Sequence, residues 1–371
     1  MARQHLFLSV ALFGLFFIPC QTDALVGPSR HRNNNGGVTI EDEQIVLSNG
    51  VKVNVVTSFP SNYQSSSQSG KPPILFLHGS FHGAWCWEEH YLSYFVEKGH
   101  PCVAFNWRGT DGNPAEEGVK KVKIVDDHCD DFRALLETLP SILGKDDDAG
   151  DDNRVLPIVV SHSMGGIIVM KYLDEMFARQ GSKTKPNQVF SAIVSMCSVP
   201  PSGNSKTTMR YMRRSLIDTY KITVGFVFKK VITDDAICRD CFFGGEKKIL
   251  EDSTIDDLGV SDEDLARYQG YFERDSKATL DVTDLAKNAP SKTTDEEGRA
   301  PFLADLPPCL VIGATDDFIV DEVANVETAT YYGVEKPVYV DSPHDIMVGR
   351  KWENGASTLH EWIEETLLTS K

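Results

Sequence analysis

Beyond Ile18 the 371-residue chain has no apolar run long enough to cross a bilayer, which takes about 20 consecutive apolar residues in a helix. The mature protein is therefore expected to carry no integral membrane segment. Basic charge is also scarce: 54 acidic residues against 37 basic ones leave a formal net charge of -17. No basic stripe offsets that repulsion, so nucleic acid is excluded as a partner. Cysteine is sparse as well, eight in all. Cys20 falls in an apolar leader, and the odd remainder lacks the dense, even pattern of a disulfide-stapled domain. A hydrophobic core must supply most of the stability, and a hydrophobic content of 41% is ordinary for one. Cys238 and Cys241 make one C-x-x-C pair. Without a second pair or a suitably spaced histidine they predict no zinc site, and a redox or disulfide role is the lesser reading. Cys86, Cys102, Cys197 and Cys309 stand in apolar runs and are expected in the core. No metal and no cofactor is expected.

The N-terminus has its own grammar. Residues 1–5 carry positive charge, Leu6 to Ile18 is almost wholly apolar, and Pro19 breaks the run before Thr22-Asp23-Ala24. That is the layout of a cleavable signal peptide over 1–24. Residues 25–43 hold Arg30, His31, Arg32 and a run of Asn and Gly with no acid before Glu41, and read as a disordered or transit-like segment. Entry into the secretory pathway follows, ending in a secreted or lumenal protein or, with a bipartite leader, in a plastid. Asp146, Asp147, Asp148, Asp151 and Asp152 crowd one Gly-containing loop, which reads as solvated surface.

From Gln44 onward, Ile45 to Leu47 and Val51 to Thr57 flank Asn49-Gly50 as a hairpin. Six unbroken apolar runs follow: Ile74 to Leu77, Cys102 to Phe105, Val155 to Val160, Phe190 to Met196, Cys309 to Ile312 and Val338 to Val340. Unbroken runs suit strands buried on both faces, hence a mostly parallel sheet flanked by helices. Helices are expected over 87–97, 125–139, 165–179, 323–332 and 356–368. Between Pro200 and Pro307 no strong core strand occurs. The expected organisation is a core over 44–200, a mainly helical cap over 201–306 and the rest of the core over 307–371. Met209, Tyr211, Met212, Phe226, Phe228, Phe242 and Phe243 would pack that cap or line a cavity beneath it.

The strongest local signal runs from Pro157 through Ser161-His162-Ser163-Met164-Gly165-Gly166 into an amphipathic stretch. It reads as strand, sharp turn, helix, with Ser163 at the apex and only small residues tolerated two positions away on either side. Gly165 is small, and Ser161 replaces the more usual first glycine. A serine hydroxyl needs a base and an orienting carboxylate to become nucleophilic, and in such a fold these follow in the order acid, histidine, each just after a late strand. Asp316 and Asp317 follow one late run and His344 the next. Adjacent loop residues point different ways, so only one aspartate can reach the imidazole, and Asp316 is preferred. His162 is expected to be structural and His128, amid four aspartates, an exposed helix position. Ser80, after Leu77-His78-Gly79, and Met164, after the nucleophile, would supply the two oxyanion N–H donors. His78 would brace that loop, with His82 facing the pocket as a lesser reading.

The blocks LFLHGSFHGAWCWEEH, NWRGTDGNP, VVSHSMGGIIVMKYL, CRDCFF, IGATDDFIVDE and SPHDIMVGRKWENGA resemble plant and algal α/β-hydrolases of the broad serine esterase and lipase group. Many members of that group are plastid-directed, and the leader resembles the bipartite leaders of algae with secondary plastids. The resemblance covers roughly residues 72–368 and implies an α/β-hydrolase fold with Ser163 as nucleophile, Asp316 as acid, His344 as base, and Ser80 and Met164 as oxyanion donors. It carries no particular substrate over; the hydrophobic cap favours an apolar acyl or alcohol portion, so a small-molecule or lipid-like ester is the expected substrate. The same triad could serve acyl transfer, carbon-carbon hydrolysis or cyanohydrin cleavage, and a triad-like pocket could be kept by a ligand receptor.

Overall fold

The six apolar runs become the parallel centre of one sheet in the computed structural model, which describes residues 30–33, 38–64, 70–111, 113, 115, 117–145, 155–179, 184–245, 248–249, 255–256, 259–274 and 278–368. Its strands are β1 (Arg30–Asn33), β2 (Thr39–Val46), β3 (Lys52–Ser58), β4 (Ile74–Leu77), β5 (Cys102–Phe105), β6 (Ile158–His162), β7 (Ala192–Met196), β8 (Cys309–Asp316) and β9 (Val338–Pro343). They lie in the order β1-β2-β3-β5-β4-β6-β7-β8-β9. From β5 to β9 each neighbour is parallel, while β1, β2 and β3 form an antiparallel edge joined to β5.

Both faces of this sheet are covered, which is why its central strands read as continuous apolar runs. Along β4, Ile74 and Phe76 enter one hydrophobic cluster and Leu75 and Leu77 the other; Val159 and Val160 divide in the same way on β6. Alternation by two puts successive side chains on opposite faces, and two covered faces bury every one.

The flanking helices are α1 (Tyr91–Glu97), α2 (Cys129–Ile142) and α3 (Met164–Ala178). After β7 come α4 (Asn204–Arg214), α5 (Leu216–Val227), α6 (Asp235–Phe242), α7 (Asp262–Phe272) and α8 (Val282–Asn288). After β8 come α9 (Glu322–Tyr331) and α10 (Trp352–Ile363). Phe95 of α1 and Leu359 of α10 cover one face with α6 and α7, whereas Phe132 of α2, Ile168 of α3 and Tyr331 of α9 cover the other.

Several elements differ from their expected form. Strand β2 begins at Thr39, and β1 also lies within the segment expected to be disordered or transit-like, so the sheet starts earlier than the sequence suggested. Only Ile40 is deeply buried on the outer half of β2, so few apolar residues announce that strand. Gly50, at φ +83°, turns the hairpin into β3, and the Leu47 N–H donates to the Val51 carbonyl at 2.9 Å. The helix expected over 87–97 divides into a turn at Trp85–Glu88 and α1. His128 is not exposed: its Nε2 faces the Arg108 carbonyl at 3.1 Å and its ring packs 5.5 Å from Trp107. Asp131 turns inward in the same region to pair with Arg108. The leader over 1–24 and the acidic loop at Asp146 to Asp152 lie outside the described residues.

Phe76 of β4 packs its ring 4.9 Å from Trp87 and 5.9 Å from Phe95, with no solvent exposure. Phe76→Ala should lower unfolding stability by about 3–5 kcal/mol, measured from the midpoint of a urea titration. An unchanged midpoint would show that this face of the sheet contributes little.

Candidate active site

Strand β6 ends at His162, helix α3 begins at Met164, and Ser163 joins them at φ +52° and ψ -118°. A residue with a Cβ adopts a positive φ only when its surroundings hold it there, at a cost of about 1–3 kcal/mol. Here the surroundings do so. The Ser163 N–H donates to the Met196 carbonyl at 3.1 Å, and its carbonyl accepts from Gly166 at 3.1 Å and Val199 at 3.0 Å. The turn needs small neighbours for a measurable reason: a Cβ on Gly165 would stand 2.8 Å from the His78 carbonyl oxygen, and one on Gly79 would stand 2.7 Å from the Ser163 Cβ. Ser161, where a glycine is usual, is fully buried and donates its hydroxyl to the Val194 carbonyl at 3.1 Å. Its extra atoms are thus satisfied without disturbing the turn.

His344 follows β9 and reaches back to the turn. Its Nε2 lies 3.2 Å from the Ser163 Oγ, and its Nδ1 lies 2.9 Å from both carboxylate oxygens of Asp317. An ionised carboxylate can only accept, so Nδ1 carries the proton and Nε2 turns its lone pair to the serine hydroxyl. Burial alone would lower the His344 pKa, but the charges of Asp317, with its hydrogen bond, and of Asp345 outweigh burial and raise it above the ordinary histidine value.

The acid position corrects the expectation of Asp316. Strand β8 runs through Asp316, which pairs with Pro343 across a register shift after Ala314, and its Oδ2 lies where a Cβ on Gly244 would be only 2.8 Å away. Asp317 is the first residue past the strand. Its Oδ1 accepts the N–H groups of Ile319 and Val320, both at 2.8 Å, so the loop fixes the carboxylate beneath the imidazole. The Cys197 thiol adds a further hydrogen bond to Asp317, and burial, reinforced by the Asp317 charge, pushes that thiol well above its ordinary pKa. Cys197 is therefore a neutral donor to the carboxylate, a role its expected place in the core did not disclose.

Two further histidines near the turn, His162 and His78, hold backbone in place. His162 donates Nε2–H to the His344 carbonyl at 3.0 Å, with the two ring centroids 4.8 Å apart. Burial, followed by the neighbouring His344 and His82, drives its pKa far down. His78 pairs Nδ1 with the Gly79 carbonyl at 2.7 Å, while its Nε2 accepts the Trp107 N–H at 3.2 Å. Burial lowers the His78 pKa to about 3, which keeps Nε2 an acceptor. In a trans peptide the N–H points opposite the C=O, so His78 orients the Ser80 N–H by holding the Gly79 carbonyl. Met164 opens α3, and its N–H has no acceptor within the helix.

His82 bridges the Ser80 carbonyl at 2.8 Å and Asp345 Oδ2 at 2.8 Å, buried throughout. Both of its nitrogens face oxygens, so the ring is held from two sides. That pair ties the loop after β4 to the loop carrying His344. Asp345 was not singled out from sequence; its only signal is its place next to His344. Phe81, Phe242 and Phe272 add an aromatic wall, with Phe242 packed 6.2 Å from the His344 ring. A separate cleft of about 530 Å³ opens behind the acid loop, lined by Tyr211, Asp240, Asp316, Asp317 and Asp321. Neither Ser163 nor His344 lines it, so an ester carbonyl in that cleft would not meet the serine.

Of the aromatic and methionine residues expected to pack or line a cavity, Tyr211, Phe242 and Phe243 are buried, and Phe226 is partly buried against the same cluster. Met209, Met212 and Phe228 instead face solvent. Cys238 and Cys241, one turn apart on α6, are both buried and unpaired as thiols.

Comparison with known proteins bears on this arrangement. Methylesterase 18 from Arabidopsis thaliana is 32% identical over 93 residues, covering 25% of this chain and 30% of that protein. Norfluorocurarine synthase 2 from Strychnos sp is 29% identical over 102 residues, covering 27% of this chain and 32% of that protein. The matched stretches therefore span about a third of these curated relatives. Among solved structures, an epoxide hydrolase from Vigna radiata aligns with TM-score 0.55 at 17% identity, over 88% of this chain and 98% of its own. Epoxide Hydrolase A from Mycobacterium thermoresistibile gives TM-score 0.55 and 17% identity, over 87% and 98%. These two are alike in fold. Residues 74–350 match the alpha/beta hydrolase family. Because that match runs from β4, through the turn at Ser163, to just beyond His344, the chain belongs to the alpha/beta hydrolase family.

Proposed function

We propose that the protein hydrolyses carboxylic esters, with Ser163 as nucleophile, His344 as general base and Asp317 as the orienting acid. The observation that carries this reading is the placement of the His344 ring, with Nδ1 2.9 Å from the Asp317 carboxylate and Nε2 3.2 Å from the Ser163 hydroxyl, which suits a proton on Nδ1 and a free lone pair on Nε2. As the Ser163 oxygen attacks the ester carbonyl, its proton passes to His344 Nε2, and Asp317 stabilises the imidazolium that results. The negative oxygen of the tetrahedral intermediate is met by the N–H groups of Ser80 and Met164. Collapse expels the alcohol, which takes the proton back from His344 and leaves an acyl-serine. Water, deprotonated by the same nitrogen, releases the acid. Similarity to proteins named methylesterases supports esters as the substrate class, and the wall of Phe81, Phe242 and Phe272 suits an apolar acyl portion.

A panel of p-nitrophenyl and methyl esters tests the reading. Ser163→Ala should abolish turnover, and retained hydrolysis would remove Ser163 from the mechanism. Asp317→Asn should lower kcat by about 10³–10⁴-fold, whereas Asp316→Asn should leave it close to wild type. The reverse order would return the acid role to Asp316.

The pH dependence has a fixed sign. Only neutral His344 can accept the serine proton, so kcat/KM should fall about tenfold per unit as pH drops below the raised His344 pKa. Losing the Asp317 charge leaves burial less opposed, so the residual activity of Asp317→Asn should keep its acidic limb to a lower pH. An unmoved limb would mean that Asp317 does not set the charge state of His344.

A further inference from the structure

Helices α4 and α5 reverse the usual arrangement of a surface helix. Gly225 of α5 is buried, and a Cβ there would stand 3.2 Å from Cys241, Ile237 and Val231, so α5 packs on α6 through its smallest residue. Leu216, Tyr220 and Val227, spaced by four and seven residues, fall on the opposite side of the helix. Leu216 is 78% exposed and Val227 71%, and Met212, Ile217 and Phe228 of the same two-helix segment are exposed as well. Soluble proteins seldom leave so many large apolar side chains contiguous and open without a partner.

Charge identifies the partner. In a chain of net charge -17, residues 204–230 carry Lys206, Arg210, Arg213, Arg214, Lys221, Lys229 and Lys230 against a single acid, Asp218. Some of these cations are engaged inward, Arg210 with Asp321 at 2.6 Å and Lys221 with Asp240 at 2.5 Å. Arg213 and Lys230, at the two ends of the apolar surface, are exposed. A second copy of this surface would bring like charges together, and the apolar leader of residues 1–24 is itself basic at its start. An anionic lipid surface satisfies both features, because apolar side chains enter the acyl boundary while flanking cations meet the headgroups.

We propose that the α4–α5 hairpin docks the protein on anionic membranes. The docked face connects inward: Phe226 of α5 packs 5.4 Å from Phe81, and Lys229 Nζ lies 5.8 Å from the same ring, one residue from Ser80. Docking would hold the Ser163 side of the molecule near lipid-dissolved esters, yet binding itself requires no catalysis and stands apart from the hydrolytic reading.

Full-length Ser163→Ala protein, which cannot degrade lipid by the proposed route, should be sedimented with phosphatidylcholine vesicles lacking or containing phosphatidylglycerol. The expected result is binding to the anionic vesicles that weakens as sodium chloride rises. Arg213→Glu with Lys230→Glu should weaken partitioning at least about tenfold, as should Leu216→Ser with Val227→Ser and Phe228→Ser. The charge reversal changes exposed polar positions and serves alone if the triple variant fails to fold. Equal binding to neutral and anionic vesicles, or binding that both variants retain, overturns the proposal. So does absence of vesicle binding; a dimer in sedimentation velocity that the Leu216→Ser, Val227→Ser, Phe228→Ser triple variant abolishes would then assign this face to a second copy.

Discussion

A left-handed backbone at Ser163 is the constraint on which the rest of the site depends. A serine at φ +52° holds that conformation because Met196, Gly166 and Val199 hydrogen-bond its backbone on three sides and because Gly79 and Gly165 leave room for it. Those neighbours come from β7 and the loop after it, from α3 and from the loop after β4, so the turn depends on several strands of the sheet being in place. The fold thus holds strain at Ser163 and offsets it with hydrogen bonds and burial around the turn. The side chain that results projects toward His344 instead of following the strand alternation into the core.

Charge around the turn is arranged with equal economy. Asp317 is bonded to the His344 imidazole and Asp345, next to His344 in the chain, to His82. Each buried carboxylate has a hydrogen-bonded partner, as a buried charge requires. His78 and His162 are kept neutral by burial and act as rigid hydrogen-bonding struts, the first on the Gly79 carbonyl and the second on the His344 carbonyl. In such dry surroundings fixed donors and charges act strongly on a developing oxyanion or imidazolium, because no water reorganises around them. The loops after β4, β8 and β9 consequently behave as one hydrogen-bonded unit around Ser163.

Much of this was legible in the amino-acid sequence because the signals are local. Unbroken apolar runs mark strands covered on both faces, and the small residues around Ser163 mark a sharp turn between strand and helix. His344 follows because chain order and strand ends leave few alternatives. What could not be read depends on where a strand stops. Asp316 and Asp317 are chemically identical neighbours, and only the extension of β8 through Asp316, with its register shift against β9, decides which carboxylate reaches the imidazole. Cys197 and Asp345 look like an apolar-run cysteine and a loop acid until the loops are brought together. His128 and Asp131 sit among charges that suggest solvent, yet Trp107 and Arg108 draw them inward. The outward apolar stripe of α5 is hidden for the opposite reason, since a helix rich in Leu, Ile and Val reads as core.

The central claim is that Ser163 is made nucleophilic by His344. Its most direct measurement is the site and pH dependence of labelling by a fluorophosphonate, followed by mass spectrometry of the digested protein. The account predicts a single adduct on the peptide containing Ser163, formed faster as pH rises through the His344 pKa and nearly lost in His344→Ala. No adduct in folded protein, an adduct on another residue, or undiminished labelling in His344→Ala would contradict it.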